Sequence, residues 1–293
     1  VEREMILIDF NHVMLANIMV TLKLHQGMEL DESVVRHMSL NSIHSFIKKF
    51  GGTYGDLVFC VDDRNNWRKE VFPFYKSHRK ADRDDSGLDW SKIFECINTI
   101  KAELVAVFPY KVLQVHGAEA DDIIATLCHR YGHLGLMNAG AEQILILSSD
   151  KDFMQLQKYA NVEQYSTVQE KWVRCSNPAR YLHEHILKGD RGDGVPNFRS
   201  ADNIFSTPER QKPVSTKNID LWNGMEPEDF CTEETLKNYY RNKQLVDLDC
   251  IPADISEQIL SAYDTCKHND KSGLFDYFIT HKLRILMEDI GDF

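Results

Sequence analysis

Three short, unbroken apolar runs along the chain each lead into an acidic residue. Met5-Ile6-Leu7-Ile8 stops at Asp9, and Leu57-Val58-Phe59-Cys60-Val61 stops at Asp62 and Asp63. Ile144-Leu145-Ile146-Leu147 passes through Ser148-Ser149 to Asp150. Uninterrupted runs of this length predict strands buried on both faces, as in a parallel sheet. Between them, residues 34–49 and 91–107 carry apolar positions at helical spacing. Such alternation predicts an α/β domain, whose ligand site lies beyond the carboxyl ends of the strands. All three acids fall on that edge.

Past about residue 175 no further run of this type occurs. Residues 181–188, 233–245 and 253–262 predict helices, and 206–218, with Pro208 and Pro213, predicts an exposed loop. The expected organisation is an α/β domain over 1–175, with a mainly parallel central sheet flanked by helices, and a smaller helical domain over 176–293.

Composition narrows the class. A hydrophobic fraction of 43% suffices for a proper core. The longest apolar runs fall far short of the ~20 residues that span a bilayer. The charged start Val1-Glu2-Arg3-Glu4 lacks an initiator Met and does not read as a secretory signal. Seven scattered cysteines without a C-x-x-C pair fit reduced thiols in a cytoplasm and no zinc site. Neither a G-x-x-x-x-G-K-[ST] loop nor an H-E-x-x-H motif is present, which leaves an ATPase and a zincin protease unsupported.

Candidate chemistry lies in three acidic segments. In Ala118-Glu119-Ala120-Asp121-Asp122 the acids open an apolar helix, where the helix dipole alone favours them. The alanines, however, leave room for the carboxylates to reach a cleft. Ser148-Ser149-Asp150-Lys151-Asp152 places two acids at a strand end. Gly189-Asp190-Arg191-Gly192-Asp193-Gly194 predicts a tight turn presenting Asp190 and Asp193 on one side. With Asp9 and Asp62 these make nine carboxylates expected at one sheet edge: Asp9, Asp62, Glu119, Asp121, Asp122, Asp150, Asp152, Asp190 and Asp193. They could not share a dry pocket ionised without cations. Mg²⁺, with Mn²⁺ as a substitute, is the natural partner of such oxygen ligands. Two ions roughly 4 Å apart can activate a water and stabilise the leaving oxygen of a phosphoryl transfer. Setting these nine aside leaves 36 acids against 34 Lys+Arg, so the net charge of −11 is a weak objection to a nucleic-acid partner.

Residues 64–83 hold seven basic side chains against two acids. Lys76, Arg79, Lys80 and Arg83 stand at i, i+3, i+4 and i+7, which predicts one basic helical face with Pro73 in its first turn. Phe72, Phe74 and Tyr75 would add aromatic surface for stacking on unpaired bases. A solvated charge stripe is the ordinary alternative; placement just after the Asp62 strand end favours phosphate guidance. Two rival readings stand beside this one. Asp150-Lys151-Asp152 resembles a haloacid-dehalogenase-type phosphatase motif, although Met154 stands where that family has Thr or Val. A non-catalytic nucleic-acid-binding module would have no use for so many carboxylates.

Together Leu7-Ile8-Asp9-Phe10, Val61-Asp62, Trp67-Arg68, Tyr75-Lys76 with Arg79, Glu119 to Ala125, Ser148 to Phe153 and Ile186 to Asp190 resemble the flap endonuclease superfamily of 5′-nucleases. Within it the phage branch, typified by the RNase H enzymes of T-even-type bacteriophages, is the nearest in pattern over almost the whole chain. The resemblance implies a 5′-nuclease/PIN-like sheet and a helix-three-turn-helix-like motif beginning at 188–196 in the helical domain. It implies that Asp9, Asp62, Glu119, Asp121 and Asp150 hold one metal, with Asp121 and Asp150 central to catalysis. Asp152, Asp190 and Asp193 would form the second-metal group, and Asp122 would join the ligands or orient a neighbour. Lys76 and Arg79 match the pair that steers the scissile phosphate, and Tyr75 matches the aromatic that stacks at the frayed end. Arg68, Lys80, Arg83 and Lys188 complete the expected nucleic-acid contacts. The activity implied is 5′→3′ exonuclease and flap cleavage of RNA–DNA and DNA duplexes by a monomer. It would remove RNA primers and adjacent DNA from lagging-strand fragments in a host cytoplasm. The implied partners are phage single-strand-binding protein and a sliding clamp. After the Gly-Asp turn, Asn197-Phe198-Arg199-Ser200-Ala201-Asp202 departs from the glycine-rich hairpin of many relatives, as the phage branch also does.

Overall fold

A computed structural model describes residues 4–24, 30–134 and 142–293. Its sheet has six strands among those residues: β1 (Met5–Asp9), β2 (Asp56–Val61), β3 (Lys111–Gln114), β4 (Ile144–Leu147), β5 (Val162–Ser166) and β6 (Lys171–Val173). Their order is β3-β2-β1-β4-β5-β6, all parallel except β6. The three apolar runs are thus the three adjacent central strands. Ile8 is in register with Phe59 of β2 and Leu147 of β4, so Asp9, Asp62 and Asp150 emerge at one carboxyl edge. The chain winds outward from β1 through β2 to β3, then returns to add β4 and β5. The point where winding reverses, between β1 and β4, is where ligand crevices form in open α/β sheets. The outer strands lack an apolar signature. β5 is interrupted by Glu163 and Gln164, and β6 is a three-residue edge, so neither forms a continuous apolar run.

Successive side chains of a strand point to opposite faces, and β1 divides accordingly. Ile6 and Ile8 join a core with Val13 and Met14 of the Phe10–Leu24 helix, Leu40 and Ile43 of Glu32–Phe46, and Ile97, Ile100 and Leu104 of Trp90–Val107. Met5 and Leu7 join the opposite core, with Ile123, Ile124 and Leu127 of the Ala120–Tyr131 helix and Ile255 and Ile259 of Ala253–Thr265. A third core joins Phe72 and Tyr75 to Ile186 and Leu187 of Pro178–Lys188 and to Tyr239, Leu245 and Val246 of Glu233–Val246. Packing crosses the boundary expected at 175. The segment 274–293 returns to the first core through Leu274, Phe278, Leu286 and Phe293.

The basic stretch is not one helix. A short helix, Trp67–Val71, is followed by turns over 73–78 and a second helix, Arg79–Asp85. Lys76 has φ 53°, in the left-handed region, and its N–H donates to Asp193 O at 2.7 Å. The expected single face of Lys76, Arg79, Lys80 and Arg83 therefore does not exist. Phe72 and Tyr75 are drawn into the third core, and the chain must turn between them and Arg79.

Candidate active site

Beyond the strand ends lies a cavity of about 550 Å³, lined by Asp9, Asp62, Asp121, Asp150 and Asp193 on one side. Lys76, Arg79, Arg83, Trp90 and Phe94 form much of the rest. Each acid is positioned by a local device. Asp9 accepts from His12 N at 3.2 Å and Ser148 Oγ at 3.0 Å, tying the end of β1 to that of β4. Asp62 accepts from Ala120 N at 2.8 Å and Asn11 Nδ2 at 2.9 Å, so it meets the first turn of the 120–131 helix. Asp150 accepts from Asp152 N at 2.9 Å, the turn that carries the chain away from β4.

Burial and mutual repulsion dominate the electrostatics. Burial, then the Asp62 charge, pushes the Asp9 carboxyl up to about 7. Asp62 is raised by burial, with Glu119 adding to it, and Asp121 is raised well above the carboxylate range by burial, Asp150 and Asp9. Carboxylates that resist ionising together are a donor set suited to a hard cation. The all-oxygen group Asp9, Asp62, Asp121 and Asp150 fits a hard divalent cation on that chemistry.

Glu119 is held differently. Burial would raise it, but Lys76 Nζ at 2.6 Å, Arg68 Nη1 at 3.4 Å and the Tyr75 hydroxyl at 2.9 Å hold it down at about 2. Asp193 accepts from Tyr75 Oη at 2.8 Å and Arg79 Nη2 at 2.7 Å. The two cations expected to steer phosphate thus face the cavity while paired with its acids. Farther along the edge, Asp152 and Asp190 flank His185, each with an oxygen 3.3 Å from one of its ring nitrogens. Burial pushes Asp152 up to about 7 despite that imidazole, whereas the His185 hydrogen bond lowers Asp190.

Three expectations are corrected. Asp122 is fully buried and faces away from the cavity; Arg68 Nη2 at 2.8 Å, Trp67 Nε1 at 3.2 Å and Glu119 N at 2.8 Å enclose it. It orients neighbours and is not placed to bind a metal. Arg68 is itself buried, spanning Asp122, Glu119 and the Leu245 carbonyl, so it offers nothing to nucleic acid. Tyr75 is 3% exposed and cannot stack on a base; its hydroxyl orders Glu119 and Asp193 instead. Of the remaining cations, Lys80 is exposed outside the cavity, Arg83 lies over the Phe94 ring at 5.9 Å, and Lys188 pairs with Glu184.

Sequence reasoning missed Asn11, His12, His185, Trp90 and Phe94. Asn11 and His12 could have been found, because polar residues just past a strand's carboxyl end open onto this edge. Trp90 and Phe94 sit on the long Trp90–Val107 helix with their rings 5.8 Å apart, and Phe94 is 43% exposed. Their helical spacing reads as ordinary core, so nothing in the sequence separates them from their buried neighbours.

Family models match two consecutive stretches, "5′-3′ exonuclease, N-terminal resolvase-like domain" at residues 4–184 and "T4 RNase H, C terminal" at 179–293. The chain is 33% identical to ribonuclease H of Enterobacteria phage T4 over 98% of its own length and 95% of that protein's. It is 25% identical to a 5′-3′ exonuclease of Buchnera aphidicola (strain APS) over 61% of this chain and 65% of that one. Among solved structures, T5 D15 protein co-crystallised with metal ions aligns with a TM-score of 0.59 at 18% identity, covering 89% of this chain and 99% of that one. That likeness establishes the resolvase-like sheet and helical C-terminal region as a shared fold.

Proposed function

The chain belongs to the 5′-3′ exonuclease family, in the branch that ends in a T4 RNase H-type C-terminal domain, and we propose that it trims 5′ ends and flaps of RNA–DNA and DNA duplexes. It is a 5′-3′ exonuclease and flap endonuclease that hydrolyses phosphodiesters to leave a 5′-phosphate and a 3′-hydroxyl. The observation that carries the reading is the cavity itself, with Asp9, Asp62, Asp121 and Asp150 facing Lys76 and Arg79 across the carboxyl edge of the sheet. Membership in this family displaces both the phosphatase and the non-catalytic alternatives.

Asp9, Asp62, Asp121 and Asp150 would hold one divalent cation, and Asp152, Asp190 and Asp193 a second, with Glu119 joining the first group. Mg²⁺, replaceable by Mn²⁺, would supply water activation and leaving-oxygen stabilisation when bound. Lys76 and Arg79 receive the scissile phosphate by exchanging Glu119 and Asp193 for its oxygens. Until substrate arrives, that pairing neutralises the buried Glu119 and the half-buried Asp193. Arg83 and Phe94 sit beside them as a cationic and aromatic wall, suited to an unpaired nucleotide. The turn from Gly189 to Gly194, between two helices of the third core, is suited to contacting the duplex backbone. In the cell the protein would remove RNA primers and adjacent DNA during phage replication. It would act as a cytoplasmic monomer beside a single-strand-binding protein and a sliding clamp. No helix among the described residues is long and apolar enough to cross a membrane.

Cleavage of a 5′-labelled RNA–DNA hybrid and a 5′-flap duplex, with Mg²⁺ and with EDTA, tests the reading. Short 5′ products in Mg²⁺ alone support it, and their length separates exonuclease from flap cutting. Cleavage from the 3′ end, or none despite tight binding, would overturn it.

A further inference from the structure

His185 lies in the last turn and a half of the Pro178–Lys188 helix, at the far end of the carboxylate edge, and is 9% exposed. Its Nε2 is 3.3 Å from Asp190 Oδ2, a hydrogen bond. Its Nδ1 is 3.3 Å from Asp152 Oδ1 but has no hydrogen-bond partner. A proton on Nε2, donated to Asp190, leaves a lone pair on Nδ1. That lone pair then faces a carboxylate oxygen in a buried space. Two electron-rich atoms so placed call for a proton or a metal cation between them. One ligand atom from each of Asp152, His185 and Asp190 lies within 4.8 Å of the others, close to the ~4.4 Å that two bonds of about 2.2 Å to a shared ion can span.

We propose that His185 Nδ1 is a nitrogen ligand of the second cation site, and that it biases this site toward nitrogen-tolerant divalent metals of the Mn²⁺ class over Mg²⁺. The inference rests on the metal-dependent reading above. Mg²⁺ favours oxygen donors and gives up its water reluctantly, whereas imidazole suits the transition metals. An imidazole that ligates through one nitrogen and donates its other N–H to a carboxylate is held in the tautomer that ligation needs. The Asp9, Asp62, Asp121 and Asp150 group offers only oxygen. The two sites of one protein would therefore differ in metal preference.

Pulsed electron paramagnetic resonance on the full chain loaded with Mn²⁺ reads the ligand atom directly. Wild type should show an imidazole nitrogen coupling that persists in His12→Asn, which removes the histidine lining the cavity, and in His44→Asn, which removes the one beside Asp289 and Asp292, and disappears in His185→Asn. By titration calorimetry, His185→Asn should lower Mn²⁺ affinity at one site by about 10–100-fold, the scale on which changes to a metal's surroundings act. Mg²⁺ affinity should fall much less. Bound Mn²⁺ without nitrogen coupling, coupling lost in His12→Asn instead, or equal losses for both metals would overturn the His185 assignment while leaving metal dependence intact. No bound Mn²⁺ at all would overturn both. The wild-type, His12→Asn and His44→Asn spectra decide the ligand even if His185→Asn fails to fold, and coupling lost in His44→Asn would likewise overturn the assignment.

Discussion

Asp9 accepts two hydrogen bonds, yet burial and the Asp62 charge lift its carboxyl from an ordinary 3.8 to about 7. A carboxyl raised in this way favours the fold while protonated. Its contribution is whole below its unfolded value and is lost as pH rises through about 7. Asp152 carries the same sign over the same window. Glu119, held down at about 2, has the opposite sign and withdraws support only in acid. A divalent cation that ionises Asp9 and Asp152 should therefore raise Tm more at pH 8 than at pH 5, and a gain independent of pH in thermal melts would contradict this. Asp121→Asn or Asp150→Asn should lower cleavage by about 10²-fold or more, the scale of losing one preorganised charge contact, with Tm in the absence of metal undiminished. Arg68 is the contrasting case. Arg68→Met strands Asp122 without its buried partner and should cost about 3–5 kcal/mol in denaturant melts, so any loss of activity follows loss of fold. The sequence showed that acids cluster at 119–122 but not which of Asp121 and Asp122 enters the cavity. That depends on Arg68, 54 positions away from Asp122, reaching back to take one of them.

Elements with an apolar signature of their own were legible. The three central strands, the helix after Glu119 and the helices near 181, 233 and 253 all lie close to where spacing put them. Elements decided by tertiary contact were not. The basic stretch has helical spacing, but two of its aromatics are buried by helices more than 100 residues later, and the resulting turn at Lys76 overrides the local period. Lys76 reaches the cavity because it leaves the helix. The Gly-Asp turn was legible for a simpler reason: Gly189, at φ 65°, closes the Pro178–Lys188 helix in a conformation that disfavours other residues. A Cβ there would lie 2.4 Å from the carbonyl oxygens of Val195 and Pro196. Gly189→Ala should cost at least about 1–3 kcal/mol from backbone strain alone. It should also weaken duplex binding by displacing the turn, and a mutant with wild-type Tm and affinity would remove the turn from the proposed grip.

At the scale of the whole molecule, the α/β unit is not closed by its own residues. Leu274, Phe278, Leu286 and Phe293 complete the core begun by Ile6 and Ile8, and Phe293 packs 5.9 Å from the Phe108 ring. Each such side chain contributes about 1.5–3 kcal/mol when buried, so the four together rival the ~5–15 kcal/mol that holds a typical domain. Deleting 274–293 should abolish cooperative unfolding, and a truncated chain that still melts in one transition and cleaves would refute this packing. Residue 274 follows residue 9 by 265 positions, which at bacterial-to-eukaryotic elongation rates is roughly 10–50 s of translation. During that interval the strand bearing Asp9 has left the ribosome without its cover, and the carboxylate edge has no rigid backing. Chains stalled before residue 274 should be inert toward the hybrid and flap substrates that finished chains cut. The last residues made are in this way the ones that brace the first strand made.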